Sequence, residues 1–259
     1  MKSFFQGKNI TNTSSSSSSL LLLSSFSILL LLLIFSFYPY FAHAQEEIIT
    51  IVPGSSDSSR YRFFDITEYP ISTGEEVKWY NADNIVHNIL VTSNSSNGKD
   101  TIAQSENIKP NEFFNYKFDK EGEYLFQSSK YDWMKGKIIV TDDIKTIKKS
   151  MGNDIDVYIS WTPSSFKVGE KSLFKIIFLD KKSEKNQEHI DYSFTIQNPS
   201  LSSDKVLYKN AFTHSAWGVE PASHIFDSGG TFIGKLGIEG ILFQPIEPEY
   251  MEFEIQVTK

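Results

Sequence analysis

The stretch GEYLFQSSKYDWMKGKIIV, from Gly122 to Val140, reads as a strand, a short loop and a second strand. Tyr124 to Gln127 forms the first strand and Gly136 to Thr141 the second. The loop between them carries a hydroxyl at Ser128, a phenol at Tyr131, an indole at Trp133 and a thioether at Met134. Such a cluster of donor groups on one tight connection makes this loop the first place to look for a site.

The surrounding chain sets limits on the chemistry. Its 259 residues fit one large domain or two ordinary ones, and 40% hydrophobic with 14% aromatic content allows a substantial core. A formal charge of −7 argues against nucleic acid or an anionic membrane surface as partners. There are no cysteines, which excludes disulfides, zinc-thiolate sites, iron–sulfur clusters, thiol nucleophiles and thiolate-ligated copper together. No Gly-x-Ser-x-Gly elbow, His-Glu-x-x-His zinc motif, phosphate-binding loop or dinucleotide fingerprint occurs, so the chain reads as a non-enzyme.

Residues 1–44 have the form of a signal peptide. Lys2 and Lys8 precede a serine run and a mostly apolar stretch, Leu20 to Phe37, and Ala42-His43-Ala44 matches a small-x-small cleavage site. The apolar stretch is also near the length that spans a bilayer, so an N-terminal membrane anchor through residues 20–37 is the alternative. Both readings place the rest of the chain in the secreted fraction or on the extracytoplasmic face of the cell membrane.

From residue 46 to 142, short β-rich runs recur between turns. Ile48–Val52, Arg60–Phe64, Val77–Asn81, Val86–Thr92 and Phe113–Phe118 precede the two strands of the opening stretch, and Asn94–Lys99 reads as a polar loop. Val77 and Trp79 alternate with Lys78 and Tyr80, as expected for a half-buried strand. Many short strands with closely spaced turns predict a β-sandwich.

Several pieces in order resemble the cupredoxins, the plastocyanin-like blue copper proteins. Gly74-Glu-Glu-Val-Lys-Trp-Tyr-Asn81-Ala-Asp83 looks like G-x-x-V-x-W-x-N-x-D, Gly122 to Phe126 looks like G-x-Y-x-Y/F, and Met134 to Val140 looks like M-x-G-x-I-x-V. The loop Ser128 to Met134 matches that family's Cys-x-x-His-Pro-Trp-Met. The resemblance implies a Greek-key sandwich over residues 46–142 and a copper site of four ligands. His87 matches the upstream imidazole and Met134 the axial thioether, whereas Ser128 stands for the cysteine and Tyr131 for the second histidine. A blue site is a trigonal His₂Cys set with a weak axial group. The resemblance therefore implies copper binding at a non-blue remnant of His87, Met134 and Tyr131, with type 1 electron transfer lost. The alternative is a degenerate loop without metal, in which Tyr131 and Trp133 offer an aromatic end for a redox or copper-handling protein or a cell-surface protein.

Residues 143–153 are charged and read as a linker. Residues 154–259 then alternate again. Ile155–Trp161, Leu173–Leu179, Ile190–Gln197, Val206–Phe212, Phe232–Ile238 and Phe253–Val257 are strand candidates, and Ile241 to Pro248 reads as a proline-punctuated connection. The expectation is an all-β chain with a second, immunoglobulin-like sandwich. It resembles in outline the sandwiches appended to exported archaeal cupredoxins. A hairpin centred between Leu201 and Ser202 would set His189 opposite His214, with Asp191 on the same face and His224 near the same end. That set suits Cu(II) or Zn(II), or else the imidazoles pair with each other and with Asp191.

Overall fold

The computed structural model describes residues 47–95, 98–199 and 206–259, and the leader expected at 1–44 lies outside them. The described residues contain strands and no α-helix, so none of their elements is a helix able to cross a membrane.

Eight strands build the first sandwich: β1 Glu47–Ile51, β2 Glu68–Ile71, β3 Glu76–Asn81, β4 Leu90–Ser95, β5 Gly98–Gln104, β6 Phe113–Lys117, β7 Gly122–Gln127 and β8 Lys135–Val140. They form a three-stranded sheet, β1-β3-β6, and a five-stranded sheet, β2-β8-β7-β4-β5. The alternation read in β3 places Val77, Trp79 and Asn81 inward. Trp79 is fully buried, stacks on Phe114 at 5.5 Å and meets Phe126 of the other sheet edge-on at 5.7 Å. Aromatic rings of both sheets thus fill the space between them. Gly136 is what lets Phe126 lie flat: a Cβ there would sit 2.3 Å from the Phe126 ring and 2.8 Å from the Thr67 carbonyl. Gly136→Ala is expected to cost about 1–3 kcal/mol in denaturant unfolding, because neither the ring nor the backbone oxygen has room to retreat.

Ten strands follow: β9 Lys145–Ser150, β10 Ile155–Thr162, β11 Phe166–Lys167, β12 Lys171–Asp180, β13 Lys185–Asn186, β14 Ile190–Gln197, β15 Val206–Ser215, β16 Val219–Ile225, β17 Gly230–Ile241 and β18 Gln244–Thr258. One sheet runs β13-β12-β10-β9 with β16 also on β12, and the other runs β11-β18-β17-β14-β15. Ile190, Tyr192, Phe194 and Ile196 of β14 point inward in strict alternation, against Phe174 and Phe178 of β12. The two sheets face each other across this core as a second β-sandwich.

Several expectations need correction. Lys145–Ser150, placed in a linker over 143–153, is an edge strand paired with β10. Ile241–Pro248 is not a connection: β17 and β18 form a hairpin turning at Leu242-Phe243, with Pro245 and Pro248 inside β18. Arg60–Phe64 makes a single bridge, Ile51 to Phe64, rather than a strand. The strand expected from Val86 starts at Leu90, and His87 precedes it in an isolated bridge with Ile108. Part of the polar loop expected at Asn94–Lys99 belongs to β4 and β5.

The two sandwiches share a joint. Ile177 of β12 and Val219 of β16 pack into the core of the first sandwich. Beside them, the ammonium of Lys175 lies 2.7 Å from the carboxylate of Glu47, both side chains being almost fully buried. Lys175 also sits 4.7 Å above the Tyr69 ring. Toward the surface, Lys171 meets Glu68 at 2.5 Å, and the exposed Arg62 approaches the buried Glu220 to 3.9 Å.

Candidate metal centre

The turn between β3 and β4 is built to hold one imidazole. The Asn81 side-chain amide donates to the carbonyls of Ile85 and Ile108, and its oxygen accepts from the amide of Asp83. Asp83 in turn accepts from the amides of Gly54 and Asn84 through one oxygen and meets His87 Nε2 at 2.8 Å through the other. Burial alone would push the Asp83 carboxyl up, but these amides and the imidazole outweigh it and hold it below its ordinary value. An ionised carboxylate only accepts, so Nε2 of His87 carries a proton, and in the neutral imidazole Nδ1 is then the bare nitrogen. The His87 ring is buried, and its Nδ1 has no hydrogen-bond partner among the described residues. A bare imidazole nitrogen backed by a carboxylate on its far side is the arrangement usual for metal-ligating histidines.

Across from it lies the loop between β7 and β8. The Ser128 hydroxyl donates to Asn88 Oδ1 at 3.1 Å and accepts from the amides of Lys130 and Tyr131, each at 3.2 Å. One donor and two acceptor positions are all that a hydroxyl has, so Ser128 is saturated inside the loop. Asn88 also receives the Ser129 amide, and the Met134 carbonyl receives that of Ser128. Met134 is fully buried. The Tyr131 ring lies 5.7 Å from that of His87 and 5.3 Å from Trp133, whose indole N–H donates to the Ser55 carbonyl at 3.0 Å.

The donor set does not fit a type 1 copper site. That geometry needs a thiolate and two imidazoles, and the chain has no cysteine, while this corner supplies one imidazole, one thioether and one phenol. Asp83 and Asn88 were not singled out as site residues by the sequence. The only signal was their spacing: Asp83 stands four residues before His87, and Asn88 directly follows it.

In the second sandwich, Gln197 pairs with Val206, the register expected for the hairpin. Bulges at Tyr192/Phe194 and Ile196/Gln197 then shift the pairing, so that Asp191, not His189, faces His214. The two rings nevertheless meet. His189 Nδ1 lies 3.1 Å from His214 Nε2, and His214 Nδ1 lies 2.7 Å from Asp191 Oδ1. His224 does not join them: it pairs with Ser172 on β12, and its ring packs on Tyr208 and Phe226. Burial there pushes its imidazole below the ordinary value, against the opposing pull of Asp227. Among the described residues, no three or more His, Asp or Glu side chains are arranged to cage a metal ion.

Among solved structures, the chain is similar to a novel purple cupredoxin from Nitrosopumilus maritimus, at 27% identity and a TM-score of 0.34, covering 37% of this chain and 100% of that one. It is also similar to a mutant of amicyanin in its reduced Cu(I) form, at 18% identity and a TM-score of 0.29, covering 37% of this chain and 82% of that one. No curated protein matches. Residues 55–141 match the family described as copper binding proteins, plastocyanin/azurin family, and the first sandwich is a cupredoxin-type domain of that family.

Proposed function

We propose that this protein is an exported, non-enzymatic copper-handling protein, in which the first sandwich holds Cu(I) at a colourless site on His87 and Met134. The observation that carries this reading is the buried, unpartnered Nδ1 of His87. Leaving a polar atom buried and unpaired costs about 1–3 kcal/mol, and a ligand that accepts its lone pair removes that cost. Imidazole and thioether together suit soft Cu(I). Asp83 sets the tautomer, and Tyr131, packed on Trp133, lies beside the ring. Bound copper supplies soft, exchangeable ligation there, without the thiolate bond that fast electron transfer needs. The half-exposed Tyr131 and Trp133 form the surface on which a copper-handling partner docks.

Competition for Cu(I) against a chromophoric chelator tests this. The purified protein is expected to withdraw one equivalent, His87→Ala to withdraw none, and neither to turn blue with Cu(II). An intense red-region absorption band in the wild type would overturn the reading. The alternative, a metal-free cell-surface scaffold, draws on the saturated Ser128 hydroxyl and predicts that the chelator keeps all the copper.

A further inference from the structure

The pair His189 and His214 lies in the other sandwich, away from any role in that reading. Asp191 accepts from the Nδ1–H of His214 at 2.7 Å, which leaves His214 Nε2 bare, and His189 Nδ1 donates to it at 3.1 Å. This is an imidazole whose outer nitrogen is oriented by a carboxylate, with a second imidazole nitrogen directly beside its inner one. Two nitrogens each about 2.0–2.1 Å from one ion and 3.1 Å apart subtend an angle of about 100° at that ion. That lies between the right angle of a tetragonal site and the tetrahedral angle.

The backbone around the pair is unusual. His189 itself has φ +54°, and the turn after β17 puts Leu242 and Phe243 at φ +50° and +63°. Two consecutive left-handed residues in a hairpin turn normally call for Asn or Gly. Bulky residues there hold the backbone in a strained conformation. The Leu242 amide donates to the His189 carbonyl at 2.8 Å, so the two strained segments brace each other. Their joint product is the Phe243 ring, 4.2 Å from His189 and 5.4 Å from His214, itself 65% exposed. Gly240, opposite Asp191, leaves the space its carboxylate fills: a Cβ there would lie 2.6 Å from Asp191 Oδ2.

We infer that His189 and His214 form a binding site for one divalent transition ion of the kind imidazole prefers, zinc(II) or copper(II). Asp191 orients the second ligand and Phe243 flanks the pair. On binding, the proton on His189 Nδ1 leaves for its Nε2 through solvent, and both facing nitrogens offer lone pairs. His214 is solvent-exposed, which leaves coordination positions open for water.

Titration of the full protein with zinc(II), and separately with copper(II), tests the inference by calorimetry and by imidazole NMR shifts. One saturable site at micromolar metal is expected, with the His189 and His214 resonances moving together. Either His189→Ala or His214→Ala removes it, and Asp191→Asn weakens it about 10–100-fold. His87→Ala leaves it unchanged, so this site and the Cu(I) site stand or fall separately. No saturable binding of either ion, or binding that survives His214→Ala, overturns it.

Discussion

Lys175→Met is expected to destabilise the protein by about 3–5 kcal/mol, because it strands a carboxylate in a nearly dry joint. Glu47 has only 8% of its side chain exposed, and the Lys175 ammonium at 2.7 Å is its counter-charge. Deleting the cation leaves Glu47 buried with its charge uncompensated, and forces it either to take up a proton or to open the joint. Glu47→Gln leaves the ammonium short of its counter-charge, although the Tyr69 ring 4.7 Å away still offers a weak cation–π contact. Its loss is therefore expected to be smaller than that of Lys175→Met. Replacing both residues with Met and Leu restores most of the stability, since a buried ion pair and a well-packed apolar pair of similar volume differ little. Urea unfolding of the three variants measures this. A Lys175→Met loss below about 1 kcal/mol, the level of an exposed pair, would show that water reaches the joint.

The second large effect is a pH dependence. Asp65 is buried, and this desolvation pushes its carboxyl from an ordinary 3.8 up to about 7, in spite of the amides of Thr50 and Ile66 that donate to it. Below pH 3.8 the folded and unfolded chains both hold the proton. Between 3.8 and about 7 the folded chain keeps a proton that the unfolded chain has released. Stability contributed by this group therefore falls as pH rises through that window and is level above it. The displacement corresponds to about 4 kcal/mol at full extent. Asp65→Asn keeps an acceptor for both amides and removes the titration. Its stability is expected to be flatter than wild type between about pH 4 and 7 and to exceed it above neutrality. Parallel curves for the two proteins across that window would mean the carboxyl is hydrated. Asp83 acts with the opposite sign: its carboxyl is held low, so the stability it adds is present above the ordinary carboxyl range and lost in stronger acid.

Where a strand has two neighbours and one buried face, its residues announced it. Ile190–Gln197 alternates without a break, and its bounds came from the sequence unchanged. The strands that escaped lie at sheet edges. Lys145–Ser150 is almost wholly exposed, so its charges hide any period. Val219–Ile225 contains Pro221 and Glu68–Ile71 contains Pro70, and each pairs with a neighbour on one side only. The start of β18 holds Pro245 and Pro248 beyond the reach of its short partner β11. Proline reads as a break in a strand, yet at an edge its missing N–H removes no ladder bond.

The site was legible to a different degree. His87, Met134 and Tyr131 came from the resemblance, but the carboxylate that selects the His87 tautomer is a matter of turn geometry. The hairpin register held beside the turn and then slipped through two bulges, which alternation alone does not reveal. Phe243 escaped because a Leu-Phe pair gives no turn signal.

Those edge prolines bear on the export proposed above. Pro245 and Pro248, both exposed, interrupt the free rim at the start of β18 where an incoming chain would dock strand to strand. A cysteine-free chain exported as proposed has no covalent clamp to stop fraying, so capping that rim in this way guards against strand-to-strand polymerisation.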